Sequence, residues 1–248
     1  MNKLTNDDLP KLRDMAHDRE KIKREFYNSK GTATVENLKK NNFDAYYAES
    51  LKEASDLLYD LIPQDATIGC GDSHTLFAMD IEDRLKDEKN CVIIPHLAAL
   101  NSHAYDNQEE DYFRVGSKQD AKRVLMEYLT SDVFLLGANG ISLDGQIVNV
   151  DGNGNRVAGS MYGPDRIIVI AGVNKIAEDE SQARARVAFT AAPMNNIKYE
   201  TYNIPCVKTG RCMDCSHPKR VCNMTTIIHK KPYDSDFHVI IIGEELGF

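Results

Sequence analysis

Four cysteines crowd into one short polar stretch, Cys206, Cys212, Cys215 and Cys222 within PCVKTGRCMDCSHPKRVCN, spaced Cys-x5-Cys-x2-Cys-x6-Cys. Thiolates are soft ligands, and four around one point suit zinc or an iron–sulfur cluster. Pro205, Gly210 and Pro218 predict that neither a helix nor a strand runs through the stretch, so its backbone can wrap a centre. Structural zinc sites mostly use two tight Cys-x-x-Cys-like pairs, and only one is present. A [4Fe–4S] cluster accepts looser spacing and is the favoured reading, with Zn2+ as the alternative. Lys208, Arg211, Lys219 and Arg220 favour thiolates and offset the charge of a thiolate–metal centre. The plain alternative is a set of reduced, unligated thiols.

A second group of residues could hold a small molecule. In IGCGDSHTL, residues 68–76, Gly69 and Gly71 let a ligand approach the backbone. Ser73, Thr75 and the first N–H groups of the following helix could bind a carboxylate or phosphate. The P-loop pattern is absent. GANGIS at 137–142 and GVNK at 172–175 each follow an apolar run. If those runs are neighbouring parallel strands, Asn139, Ser142, Asn174 and Lys175 project at one sheet edge. A lysine there neutralises an anion or, desolvated, acts as a base. The candidate catalytic residues are Lys175, Asn174 and Asn139; the candidate ligand-binding residues are Gly69, Gly71, Ser73, Thr75 and Ser142. The plain alternative is tight turns, a capping serine and a solvated lysine.

Other signals are weaker. DGNGN at 151–155 imitates half a calcium loop, but Arg156 stands where the turn glycine belongs, so a turn is expected. His74, His96 and His103 lack metal-ligand spacing and read as structural. Cys70 could be a nucleophile at a helix N-terminus, but its apolar strand favours packing.

These residues need a scaffold. Apolar patterning predicts strands at about 43–48, 66–70, 91–95, 132–137, 145–151, 166–171 and 236–242. Helices are expected at 51–62, 74–86, 119–130 and 178–191, the last ended by Pro193. Nearly continuous apolar strands alternating with helices imply a largely parallel open α/β sheet covered on both faces. Two separate helices, from about Thr5 to Phe26 and from Val35 to Asn41, form an N-terminal helical arm, residues 1–42. Residues 43–248 form the α/β domain, and 205–223 is a metal-binding excursion from it. The polar stretch 101–116 is a long loop, read as a lid or an insertion.

The chain has 248 residues and a net charge of −8, which argues against a general nucleic-acid binder. No apolar run approaches the roughly 20 residues of a membrane helix. The polar N-terminal stretch lacks the apolar core of a signal peptide. The expectation is a cytoplasmic protein, where clustered cysteines bind metal more often than they form disulfides.

Together, IGCGDSHTL, GANGISLDGQIVNVDGNGNRVAG at 137–159 and GPDRIIVIAGVNKI at 163–176 resemble the lactate-utilisation (LUD) domain family. TGRCMDCSHPKRVCN at 209–223 looks like the cysteine-rich tail of one branch. The resemblance implies a fold similar to ribose-phosphate-isomerase and CoA-transferase-like proteins, with ligands at the loops named above. It implies lactate or related small-acid oxidation with electron transfer, and redox partner subunits. A sugar-phosphate-type isomerase or transferase is implied by fold alone. A non-catalytic assembly or regulatory subunit with structural zinc is the third reading, and a homo-oligomer is compatible with all three. Family sequences often carry a second glycine where Asp72 stands; an acidic group there weakens phosphate binding.

Overall fold

The computed structural model describes residues 17–95 and 118–248. The chain runs α1 Arg19–Lys40, β1 Asp44–Ala48, α2 Leu51–Leu61, β2 Thr67–Cys70, α3 His74–Met79, α4 Glu82–Lys89 and β3 Val92–Pro95. After the undescribed residues come α5 Lys118–Leu129, β4 Val133–Gly137, β5 Gly140–Ser142, β6 Ile147–Asp151, α6 Asn155–Gly159 and β7 Arg166–Gly172. Then follow β8 Ile176–Ala177, α7 Glu180–Arg186, α8 Ala192–Lys198, α9 Pro205–Thr209, β9 Met224–Ile228 and β10 Asp236–Ile242.

Six strands form one sheet in the order β1-β10-β7-β4-β2-β3, and every pairing is parallel. The two central strands explain why. In β7, Ile167, Val169 and Ala171 face one apolar layer, while Ile168 and Ile170 face the other. In β10, Phe237, Val239 and Ile241 alternate with Ile240 and Ile242 in the same way. Strands apolar on both faces need a cover on both, which is the condition for a parallel α/β sheet. The α/β fold read from the sequence is therefore present.

Several local expectations are corrected. The two expected arm helices are one continuous helix over Arg19–Lys40, opened by the Asp18 side chain accepting from the Lys21 N–H. Gly31 is tolerated inside it because the Tyr47 ring packs where a Cβ would stand, 2.3 Å away. The expected 74–86 helix breaks at Asp80, whose φ of 45° turns the chain so that Met79 and Ile81 both bury. Pro193 does not end its helix. A π-turn over Val187–Ala191 leads into α8, where Pro193 sits in the first turn and its missing N–H costs nothing. Pro205 likewise opens a short helix at its first position, and Gly210 ends it at φ 71°. The region 101–116, His96, His103 and Thr5 lie outside the described residues.

The sequence reading also missed a second sheet, ordered β8-β5-β6-β9. β6 pairs antiparallel with β5 and with β9, which follows the cysteine stretch directly.

Gly163 marks the entry to β7. Its φ is 126°, and a Cβ there would stand 2.3 Å from the Leu129 carbonyl oxygen. Gly163→Ala should therefore cost about 3 kcal/mol through backbone strain and overlap, read as a lower urea midpoint at unchanged slope.

Candidate functional site

The two Gly-x-Asn motifs do the same structural job. β4 pairs in parallel with β7 in the large sheet, and β5 pairs in parallel with β8 in the small one. Residues 138–139 and 173–175 carry the chain between the sheets side by side. In the small sheet Ile141 lies opposite Ile176 and Ser142 opposite Ala177, so Gly140 and Lys175 hold equivalent positions. Gly140 leaves room for Ala183, whose carbonyl oxygen would be 3.0 Å from a Cβ. Arg186 of α7 donates to the backbone carbonyls of both asparagines, Asn139 at 2.5 Å and Asn174 at 3.0 Å. One guanidinium thus ties the two crossovers together.

The asparagine side chains hold the surroundings. The Asn139 Oδ1 accepts from the Val150 N–H at 3.0 Å and from Arg156 at 2.6 Å. Asn174 donates to the Gly247 carbonyl at 3.2 Å and accepts from the Leu246 N–H at 3.1 Å, which fixes residues 246–247 beside the sheet edge. Ser142 accepts from the Gln146 N–H in the β5–β6 turn and does not line the cavities described below. Gly69 and Gly71 sit against protein: a Cβ on Gly69 would be 2.6 Å from the Tyr128 carbonyl, and Gly71 donates its N–H to the Leu135 carbonyl at 2.8 Å.

Lys175 is 3% exposed. Its Nζ donates to the Thr75 Oγ1 at 3.1 Å, and among the described residues no carboxylate lies within ion-pair distance. Burial, then the charges of Arg186 and Arg156, bring its pKa down to about 7. The Ser73 hydroxyl is close by, 2.7 Å from where a Cβ on Gly137 would stand, and Lys175 Nζ is 3.6 Å from the same point. Ser73 stands at the N-cap of α3 yet makes no capping hydrogen bond. Lys175, Ser73, His74, Gly137, Asn139, Arg156 and Phe248 line a small chamber of about 20 Å³, roughly enough for one water or one ligand functional group.

The chamber meets a larger cleft of about 780 Å³. Asp72, Asn139, Arg156, Asn195 and Lys198 line both. The cleft is also lined by Pro218, Lys219, Arg220, Val221 and Asn223, from the cysteine stretch. Arg156, Lys198, Lys219 and Arg220 line the cleft together with Asp72, Asp151 and Glu200. Asp72 pairs with Lys198, accepts from the Tyr199 hydroxyl at 2.7 Å, and its side chain is 8% exposed. The pair docks α8 on the loop between β2 and α3. Burial lowers the proton affinity of Lys198 despite Asp72, and raises that of Tyr199.

The cysteine stretch hangs from this dock. Asn196 of α8 donates to the buried Cys206 Sγ at 3.4 Å. Burial raises the Cys206 thiol pKa, and Cys215 and Cys222 are near enough to add to it. Arg220 donates to the Cys222 Sγ at 3.3 Å, to its carbonyl at 3.1 Å, and to the Cys215 carbonyl. The Cys212 sulfur accepts from the Asp214 N–H at 3.4 Å. Cys70 is elsewhere: burial, then Glu82 and Asp72, push its thiol to about 12, so it is no ready nucleophile.

Asp151 makes a turn, as the sequence predicts. Its carboxylate accepts from the N–H groups of Asn153, Arg156 and Val157, which leaves Arg156 aimed at the crossovers. Sequence reasoning missed Arg156, Arg186, Lys198 and Tyr199. Arg156 alone carried a signal, as the residue that breaks the calcium-loop pattern. The described residues also place Asp44, Asp236 and His238 with ligand atoms within 4.8 Å. That group lies at the opposite, amino-terminal edge of the strands, where Asp236 already pairs with Arg166 at 2.6 Å.

No helix of the described residues is long and apolar enough to cross a membrane. No curated protein matches the chain. A solved structure of a DUF162 family protein from Deinococcus radiodurans is similar at 12% identity and a TM-score of 0.41, over 88% of this chain and 98% of that one. The LUD domain family model matches residues 32–242. That match takes in both crossovers, the Asp72 dock and the cysteine stretch, and the chain belongs to the LUD domain family.

Proposed function

We propose that the cleft binds a small 2-hydroxy or 2-oxo acid such as lactate, and that the cysteine stretch beside it holds a [4Fe–4S] centre serving its oxidation. The observation that carries this reading is the shared wall: residues 218–221 and 223, which flank Cys222, line the same cleft that meets the chamber of Lys175 and Ser73.

The thiols suit such a group. Cys215 and Cys222 lie beside the Arg220 guanidinium, which stabilises thiolate charge, and Cys206 is near both thiols. Cys212 completes the set. Only one tight Cys-x-x-Cys pair is present, and the looser spacing of the outer cysteines favours a cluster over zinc. When bound, such a centre supplies one-electron transfer.

The chain's own residues have separable roles. Arg156 and Lys198 face the cleft as cations for the acid's carboxylate. Ser73 offers a hydroxyl with no capping duty. Lys175, partly neutral near pH 7, takes the proton of a substrate hydroxyl as a general base. Asn139 and Asn174 position the crossovers that hold it.

Protein purified without oxygen should be brown and contain iron with acid-labile sulfide. Cys212→Ser and Cys215→Ser should each lose most of the metal and the colour. Colourless protein with one zinc per chain, or metal retained in both variants, would overturn the assignment.

A further inference from the structure

The features that suit Lys175 to general-base duty also suit it to a second role. Its amine is enclosed at the inner end of the cleft, with Thr75 as its hydrogen-bond partner and no carboxylate in reach among the described residues. A lysine kept only to bind a carboxylate is better served by remaining an ammonium. A buried amine beside other cations loses its proton and becomes a nucleophile. Two guanidiniums, Arg156 and Arg186, crowd this one. The chamber around Nζ takes about one functional group, and Gly137 keeps it open: a Cβ there would meet Ser73 Oγ at 2.7 Å. A Cβ on Gly247, at φ 58°, would stand 3.2 Å from Nζ.

We propose that Lys175 forms a covalent imine with the carbonyl carbon of a 2-oxo acid, so that the chamber captures the oxidised form of its ligand. This rests on the reading of the cleft as an acid-binding site. The neutral amine attacks the carbonyl carbon, and a C–N bond forms as the C–O π pair moves to oxygen. The amine's proton passes to that oxygen, with the Thr75 hydroxyl at 3.1 Å placed to relay it. The carbinolamine then loses its hydroxyl with the remaining N–H proton as water, leaving C=N. No electrons are gained or lost, and added water reverses the sequence. The acid's carboxylate points outward to Arg156 and Lys198, the cations at the junction of chamber and cleft.

The test is reductive trapping of the whole protein with pyruvate and cyanoborohydride, read by intact mass and peptide mapping. A single added pyruvate unit on Lys175, ahead of the exposed lysines, is expected. Trapping should rise through about pH 7 and then level off, whereas exposed lysines keep gaining reactivity towards pH 10. Lys175→Arg should lose the adduct, and Gly137→Ala, which narrows the chamber, should reduce it. An adduct confined to other lysines, no adduct, or a yield that climbs steadily to pH 10 would overturn the proposal. The pH profile of the unaltered protein decides the matter even if a variant misfolds. Lactate should compete with trapping. An imine indifferent to lactate would count against the acid-oxidation reading alone. Lactate binding without any imine would count against the imine alone.

Discussion

Lys175→Met is expected to raise the stability of the protein at pH 6, by up to about 4 kcal/mol, and to change it by less than about 1 kcal/mol at pH 10. The sign follows from where the proton sits. An unfolded lysine titrates near 10.4, and the folded Lys175 near 7. Between those values the unfolded chain holds a proton that the folded chain has released, so native stability climbs with pH across that window. Below it the native state carries the whole cost of a buried ammonium. Methionine has nearly the same length, fills the same space and needs no proton. A variant more stable yet inactive identifies strain kept for function. Urea unfolding of both proteins at pH 6, 8 and 10 measures it. A loss of stability at pH 6 would mean that the ammonium is well solvated or paired.

Lys198→Met is expected to do the opposite and cost about 3–5 kcal/mol. It removes the ammonium from the buried Asp72 carboxylate, and a buried charge deprived of its partner is among the most expensive single changes. The depressed proton affinity of Lys198 shows that burial outweighs the pairing. The double variant Asp72→Asn with Lys198→Met should therefore recover most of the loss, and a double-mutant cycle reads the coupling directly. The damage should be local first. α8 carries both Lys198 and the Asn196 that holds Cys206, so amides over 192–209 should lose hydrogen-exchange protection before the central strands. Equal loss of protection everywhere would deny Asp72 and Lys198 the role of tie between sheet edge and cysteine stretch.

The contrast between the two lysines shows what was legible in the sequence. Lys175 follows an apolar run that can only be a buried strand, next to an asparagine repeated at an equivalent strand end. Local pattern alone placed it at the carboxyl edge of the strands, and β4 and β7 are indeed parallel neighbours. Lys198 sits in a polar stretch of a helix with no motif around it. Its importance comes from Asp72, 126 residues away in sequence, a pairing no periodicity encodes. Arg186 was hidden in the same way, because a guanidinium that binds two backbone carbonyls leaves no side-chain partner to recognise. Strands buried on both faces announced the large sheet. The small sheet stayed hidden because β5 and β8 are short, and because β9, rich in threonine, follows a stretch dominated by its cysteines. Ser142 was placed at the site by adjacency; the crossover carries it past the edge to the end of β5, where it accepts from the Gln146 N–H. Pro193 and Pro205 misled as helix breakers because both sit in first turns, where proline is at home.

The measurement that bears most directly on the central claim, that cleft and cysteine stretch make one site, is the visible spectrum of anaerobically purified protein titrated with lactate. The account predicts a brown chromophore whose spectrum changes saturably with lactate and stays fixed when Arg156→Ala protein is titrated. Colourless protein, or a chromophore that lactate leaves unchanged, would contradict it.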